Sequence, residues 1–255
     1  MTWFTDKLRN SILWKKISYL RLFQKLRFPE RIKLWDKEYD FYLNLIGNKN
    51  QLIFDVGANT GEKTSIFKKL SKEVICFEPS PNSLQTLKKR FAFTKVIIIP
   101  VAISNKNAKC QLFIVEDRQT LNTISDKQLE KVIEPVASES KISVLDVNTE
   151  TLDAMIHKFG KPQYIKIDVE GHEKEVIEGL SKPVNYLSFE NSTPNFLAEA
   201  MESIDHLFTI SNGASGFNIL NEGKFIFPEF CPAETVKEHL RNHHYGAAEI
   251  YCQSC

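Results

Sequence analysis

The sequence predicts an α/β protein, a doubly wound and mostly parallel sheet preceded by a helical extension, and three observations carry that expectation. From residue 50 onward short apolar runs alternate with charged helical stretches, the pattern of parallel strands covered by helices. The first runs, "QLIFDVG", "EVICFEP" and "KVIIIPVAIS", are apolar nearly throughout, as strands buried on both faces are. Residues 3–46 differ: Phe4, Leu8, Ile12, Leu13, Ile17, Leu20 and Phe23 recur at spacings of three and four, which is helical.

Each element follows in order. Strand "QLIFDVG" leads into helix "EKTSIFKKLS", strand "EVICFEP" into helix "PNSLQTLKKRF", and "KVIIIPVAIS" is the third strand. "KCQLFIVED" alternates apolar and polar residues and begins an antiparallel insertion. "ISVLDV" precedes helix "NTETLDAMIHKFG", with Thr149 or Thr151 as its cap. Strand "QYIKIDVEG", helix "HEKEVIEGL" and strand "VNYLSFE" complete the repeating part. Beyond Asn191 come helix "PNFLAEAMESI" and strands at "FTIS", "FNIL", "KFIF" and "EIYCQ".

The totals set bounds. At 255 residues, 42% apolar and 25% charged, the chain reads as one globular domain with a substantial core. A net charge of +1 gives no reason to expect nucleic acid as a partner. Residues 1–35 nevertheless carry nine Lys or Arg against Asp6 and Glu30, a net of +7 that leaves −6 for the rest. That basic amphipathic segment has two readings: a packing helix with a solvated face, or a peripheral contact with anionic membrane. Five scattered cysteines fit a reducing, cytoplasmic setting better than a disulfide framework. Cys252-x-x-Cys255 with Cys231 and His243 or His244 is a weak zinc pattern, because one pair lies at the chain end. The start lacks the apolar core of a signal peptide, and no stretch is long and apolar enough to span a membrane.

The most informative stretch is "LIFDVGANTGEKT", residues 52–64. It misses the P-loop pattern by one residue: Glu62 stands where glycine must close around phosphate, and a carboxylate there opposes a polyphosphate. The dinucleotide fingerprint fails as well, since Asn59 occupies its second glycine position. What remains is Asp55-x-Gly57-x-x-x-Gly61 at a strand-to-helix turn, with Glu78 ending the next strand 21 residues after Gly57. An acidic residue about 20 positions beyond such a loop accepts the hydroxyls of a ribose. A nucleoside without polyphosphate is thus expected, and S-adenosylmethionine has those parts.

At this point "FDVGANTGEKT", "FEPSPNSLQTL", "VAISN", "TLD" and "YIKIDVEGHEKEVIEGL" together resemble the successive signatures of FkbM-type methyltransferases, and "YGAAEIYC" resembles their final strand. The resemblance implies a class I methyltransferase: a Rossmann-like doubly wound sheet, mostly parallel, with an antiparallel C-terminal strand. It covers residues 38–190 well and leaves residues 1–37 as a separate extension. It implies O-methylation of a sugar, glycan or natural-product hydroxyl. It also implies that Asp55, Gly57, Ala58, Asn59 and Gly61 line the methionine side of S-adenosylmethionine. Glu78 would hold the ribose, Pro79 beside it would also touch the cofactor, and Ala102 and Ile103 would lie near the adenine.

A sugar hydroxyl is a weak acid, so its methylation is aided by a base or by a divalent metal. "KIDVEGHE" offers Lys166, Asp168, Glu170, His172 and Glu173 at the carboxyl end of a strand, where open α/β sheets bind ligands. Two readings stay open. Asp168 with Glu190 and Asn191 would hold Mg²⁺ through oxygen ligands, or Glu170 or His172 would act as base without a metal. In the plainer reading, Glu170 and Glu173 serve only the following helix terminus. The rivals to this enzyme are a nucleoside-binding module that has kept the fold alone and a degenerate P-loop nucleotide-binding protein.

Overall fold

A computed structural model describes residues 29–47, 51–116, 118–133, 141–191 and 195–254. The chain divides into two units, residues 1–47 and 48–255. Within the first, helix α1 (Pro29–Ile46) begins with proline at its first position, where no N–H is needed. It runs through residue 37, and the first unit ends at Gly47. The basic residues up to 28 lie outside the described residues. Among the described residues no helix is long and apolar enough to cross a membrane.

The second unit starts with β1 (Leu52–Val56), whose last four residues are buried. Helix α2 (Glu62–Leu70) follows, then β2 (Glu73–Phe77), α3 (Pro81–Phe91) and β3 (Ile97–Ile99). Helix α3 carries Lys88, Lys89 and Arg90 in its last turn, matching its dipole. Arg90 also donates to the Thr60 carbonyl at 2.6 Å, tying the helix to the loop after β1. The run "KVIIIPVAIS" is not one strand. It divides at Pro100, which has no N–H for a ladder, into β3 and β4 (Ala102–Ile103), and the two join different sheets.

Strands β5 (Ala108–Val115) and β6 (Ile142–Glu150) pair antiparallel as expected and, with β4 on the far side of β6, form a second, three-stranded sheet. Helix α4 (Leu152–Phe159) is capped by Thr151, whose hydroxyl accepts from the Ala154 N–H. Thr149 instead donates to the Lys106 carbonyl. Then come β7 (Tyr164–Ile167), α5 (Glu173–Glu178), β8 (Tyr186–Asn191) and α6 (Leu197–Ile210). The expected strand "FTIS" is the last turn of α6: Ile204 and Leu207 keep the helical spacing to the core, and that packing overrides local β-branched preference. Finally β9 (Ser215–Asn221), β10 (Lys224–Phe225), α7 (Ala233–Asn242) and β11 (Ala248–Ser254) close the fold; "KFIF" yields only two strand residues.

The main sheet has the order β10-β9-β11-β8-β7-β1-β2-β3. From β8 to β3 the pairing is parallel, and β11 inserts antiparallel between β8 and β9. Its core joins Phe54, Ile75, Ile165 and Phe189 of the strands with Val176, Ile204, Val236 and Leu240 of the helices, all essentially without solvent exposure. The strand order reverses beside β1, between β2 and β7. A crevice opens there at the carboxyl ends of the strands, the usual ligand position of such sheets.

Candidate active site

Each strand end delivers one part of the site. After β1, Gly57 and Ala58 both donate their N–H groups to the Phe77 carbonyl, bending the chain sharply. Gly57 has φ +77°, and a Cβ there would lie 1.8 Å from the Asp168 carbonyl oxygen, so the close approach of the two loops requires glycine. Gly61, at φ +79°, faces elsewhere: a side chain would strike Leu87 and Phe91 of α3. Asn59 takes a left-handed φ of +47° and sends its N–H to Glu78.

Glu78 is the centre of this half. Its Oε2 accepts from Asn59 N at 2.8 Å and its Oε1 from Ser80 N at 2.8 Å, so both oxygens are oriented by backbone. It is 6% exposed. Burial pushes its carboxyl up to about 7, against the pull of the two N–H groups. Asp55 is also buried, but behind the loop. Its Oδ2 accepts from the Thr64 hydroxyl at 2.5 Å, and its Oδ1 has no hydrogen-bond partner. Thr64 is thereby turned inward and fully buried, which removes the hydroxyl that a P-loop presents to phosphate-bound metal.

An open cleft runs along the strand ends. Gly57, Asn59, Glu78, Pro79, Ala102 and Ile103 line it, with Asp168 and Glu170 at the other end. Asp55, Ala58, Gly61, His172, Glu190 and Asn191 do not. The sequence reading missed Phe77, Leu112, Thr120, Asn122, Thr123 and Ile124, which also line it. The last four belong to the segment between β5 and β6, where no periodic pattern marks a role.

The other half gathers carboxylates. Asp168 follows β7 and is held by Lys166, whose ammonium lies 2.7 Å from its Oδ2. Burial opposes the charge on Lys166, yet Asp168, Asp55 and Glu249 keep it protonated. Burial likewise raises Asp168, but Lys166 and a hydrogen bond with Glu190 outweigh it and hold Asp168 ionised. Glu190, near the end of β8, is pushed up to about 9 by burial and by the Asp168 charge. Glu170 is pushed up to about 8 by burial, then by Asp168 and Glu173. At neutral pH, then, Asp168 carries the negative charge while Glu190 carries a proton.

Ligand oxygens of Asp168, Glu170 and Glu190 lie within 4.8 Å of one another, the one such group of potential metal ligands among the described residues. That set of hard donors fits a divalent cation such as Mg²⁺. Asn191 is corrected out of it: one residue beyond Glu190 on a strand, it points to the other face and donates to the Phe196 carbonyl at 2.9 Å. Glu170 takes its place. Glu173 serves the turn before the helix, its carboxylate accepting from Val169 N and Gly171 N. His172 turns away from the cluster, with Nε2 on the Ser104 hydroxyl at 2.9 Å and Nδ1 facing Glu175; burial pulls its imidazole down. Of the zinc pattern, Cys252 is buried in β11 and Cys231 donates to the Glu229 carbonyl; Cys255 lies outside the described residues.

The fold and the cleft define a class I methyltransferase. The Methyltransferase FkbM domain matches residues 55–211, more than half of the chain, and the protein belongs to that family. A curated relative, the hexuronic acid methyltransferase AglP of Haloferax volcanii, is 22% identical over 141 residues, covering 55% of this chain and 54% of the relative. The solved FkbM methyltransferase of Methylobacillus flagellatus KT superposes with a TM-score of 0.50 at 14% identity, over 80% of this chain and 43% of that one. The chain thus spans about half the length of the curated relative it matches.

Proposed function

We propose that this chain transfers a methyl group from S-adenosylmethionine to a hydroxyl of a sugar, glycan or natural-product acceptor. The observation that carries the reading is the cleft's two ends: a backbone-oriented carboxylate, Glu78, at one and Asp168 and Glu170 at the other, with Glu190 beside them but outside the cleft lining. Each Glu78 oxygen accepts one N–H and keeps acceptor capacity for a ribose hydroxyl. Phe77, Ala102, Ile103 and Leu112 supply the apolar wall that an adenine needs. The bound donor supplies an activated methyl on a sulfonium.

On the acceptor side, Glu170 takes the proton of the hydroxyl. Its carboxyl is pushed up to about 8, so the ionised form that accepts the proton is the minority form at pH 7 and grows as pH rises toward 8. Asp168, fixed by Lys166, orients the hydroxyl as a permanent acceptor. Were a divalent cation bound, Asp168, Glu170 and Glu190 would hold it, and it would lower the pKa of the acceptor hydroxyl. The test begins with melting temperature in S-adenosylhomocysteine or Mg-ATP, each with and without Mg²⁺. Ligand at a hundred times its Kd adds about 2.7 kcal/mol of stability, expected for the adenosyl compound alone. Labelled S-adenosylmethionine is then offered with glycosides, uronic acid glycosides first, given the name of the Haloferax volcanii relative. A shift with Mg-ATP alone sinks the proposal, and donor binding without transfer to any glycoside reduces it to a nucleoside-binding module.

A further inference from the structure

Residues 119–125 join the two halves of the site, although they belong to neither. They include a short 3₁₀ turn, Gln119–Leu121, and lie between β5 and β6 of the second sheet. Thr123 exchanges both backbone hydrogen bonds with Phe113, at 2.8 and 3.2 Å, so the segment is fastened to β5 like a short extra strand. Asn122 accepts from Val115 N at 3.0 Å and donates to the Ser80 hydroxyl at 3.3 Å, beside the turn that orients Glu78. The Thr123 side chain, 1% exposed, donates to the Glu170 carbonyl at 2.6 Å and accepts from Ser125 N at 2.9 Å.

That last bond has an unusual target. Glu170 is a non-glycine residue at φ +55°, a conformation that persists only where its surroundings impose it. Glu173 imposes it from one side through Val169 N and Gly171 N, and Thr123 from the other through the carbonyl. Thr120, Asn122, Thr123 and Ile124 meanwhile face the cleft between Glu78 and Glu170.

We infer that residues 119–125 form an inserted wall of the donor site, and that Thr123 is a positioning residue whose hydroxyl latches this wall to the Glu170 turn, so that donor binding orders the acceptor carboxylate. This deepens the methyltransferase reading and rests on it. The wall is carried by the second sheet, whose β4 grows out of the same β3–β4 run that supplies Ala102 and Ile103. One insertion therefore meets the nucleoside end and the acceptor end together.

The experiment is hydrogen–deuterium exchange with and without S-adenosylhomocysteine, alongside calorimetric binding, on the full chain and on Thr123→Val, Thr123→Ser and Asn122→Ala. In the wild type the ligand is expected to slow exchange at 119–125 and at 168–172 together. Thr123→Val, close in shape but without the hydroxyl, is expected to lose the protection at 168–172 and to bind about tenfold more weakly. Thr123→Ser is expected to restore both. Asn122→Ala tests the wall if the valine variant does not fold, with a similar fold-loss expected for S-adenosylhomocysteine and for methylthioadenosine, which lacks the amino-acid tail. Binding by the wild type with unchanged exchange at 119–125 overturns this inference alone. So does a valine variant that matches the serine variant in both measurements. No binding by the wild type overturns the donor reading and this inference with it.

Discussion

The two ends of the cleft bury acidic groups by different means. Glu78 is stabilised by fixed dipoles, one backbone N–H to each oxygen, and has no ion pair among the described residues. The Asp168–Glu170–Glu190 set relies on a buried lysine for one member and on protons for the other two. Backbone donors cannot be withdrawn, so the Glu78 end is built to hold one ligand group in one place. Protons can move, so the other end is suited to acid–base work. Under the proposed function the contrast would separate binding from chemistry, and it can be broken at several points.

The largest expected effect is on turnover. Glu170→Gln keeps the shape and removes the base, and kcat on any accepted glycoside should fall by about 10²–10⁴-fold. Affinity for S-adenosylhomocysteine should stay within about twofold, since the loss is confined to proton transfer. A variant that loses donor affinity and keeps kcat would reverse the division of the cleft. Next comes Lys166→Met. It leaves the buried Asp55 and the half-buried Asp168 without their cation; removing one partner of a buried pair costs about 3–5 kcal/mol, and the part of Asp168 that stays in water lowers that cost. Urea denaturation reads that cost. A loss below about 1 kcal/mol would mean that protonation of Asp168 compensates, and the lysine would then matter only for orientation.

How much of this was legible beforehand depended on whether a role is local in sequence. Glu78 stands out in the sequence because strand, loop and helix lengths of a doubly wound fold place it at a fixed distance from Gly57, and its role toward a ribose is a proposal. Asp168 and Glu190 come close to each other because both lie at the carboxyl ends of consecutive parallel strands. Asn191 was misplaced by one residue, and on a strand one residue is the other face. His172 looked suitable by its ordinary pKa, but its partners Ser104 and Glu175 come from other elements or the next helical turn and draw it aside. Strand "FTIS" failed for a related reason, since its burial is set by α6 as a whole. The segment 119–125 could not be read at all: its conformation comes from the Phe113–Thr123 pairing and from side-chain bonds to Ser80 and Glu170, 42 and 47 residues away.

A smaller effect is expected at the binding end. Glu78→Ala removes the acceptor of the ribose hydroxyls and should weaken S-adenosylhomocysteine by about 10–100-fold, on the scale of one or two hydrogen bonds to a charged group. Calorimetry would show it, with no fall in melting temperature of the free protein, because an inadequately solvated carboxylate has been deleted along with its bonds. Unchanged affinity would remove the ribose assignment.

The finest test of the comparison is pH. Glu78 has a folded-state carboxyl raised to about 7 from an ordinary value of 4.5. Between those values the folded protein holds a proton that the unfolded chain has released. Its contribution to the stability of the free protein therefore falls as pH rises from about 4.5 to 7, and is level above. Donor binding runs the other way. The ribose hydroxyls donate, so the ionised carboxylate is the binding form, and affinity for S-adenosylhomocysteine should rise up to about tenfold per pH unit below 7 before reaching a plateau. Proton release on binding, measured at pH 6 in two buffers of different ionisation enthalpy, should approach one and vanish in Glu78→Gln. If release persists in that variant, the proton comes from the acceptor carboxylates. Donor binding would then be coupled to the chemical end of the cleft more tightly than the separation of fixed dipoles from mobile protons allows.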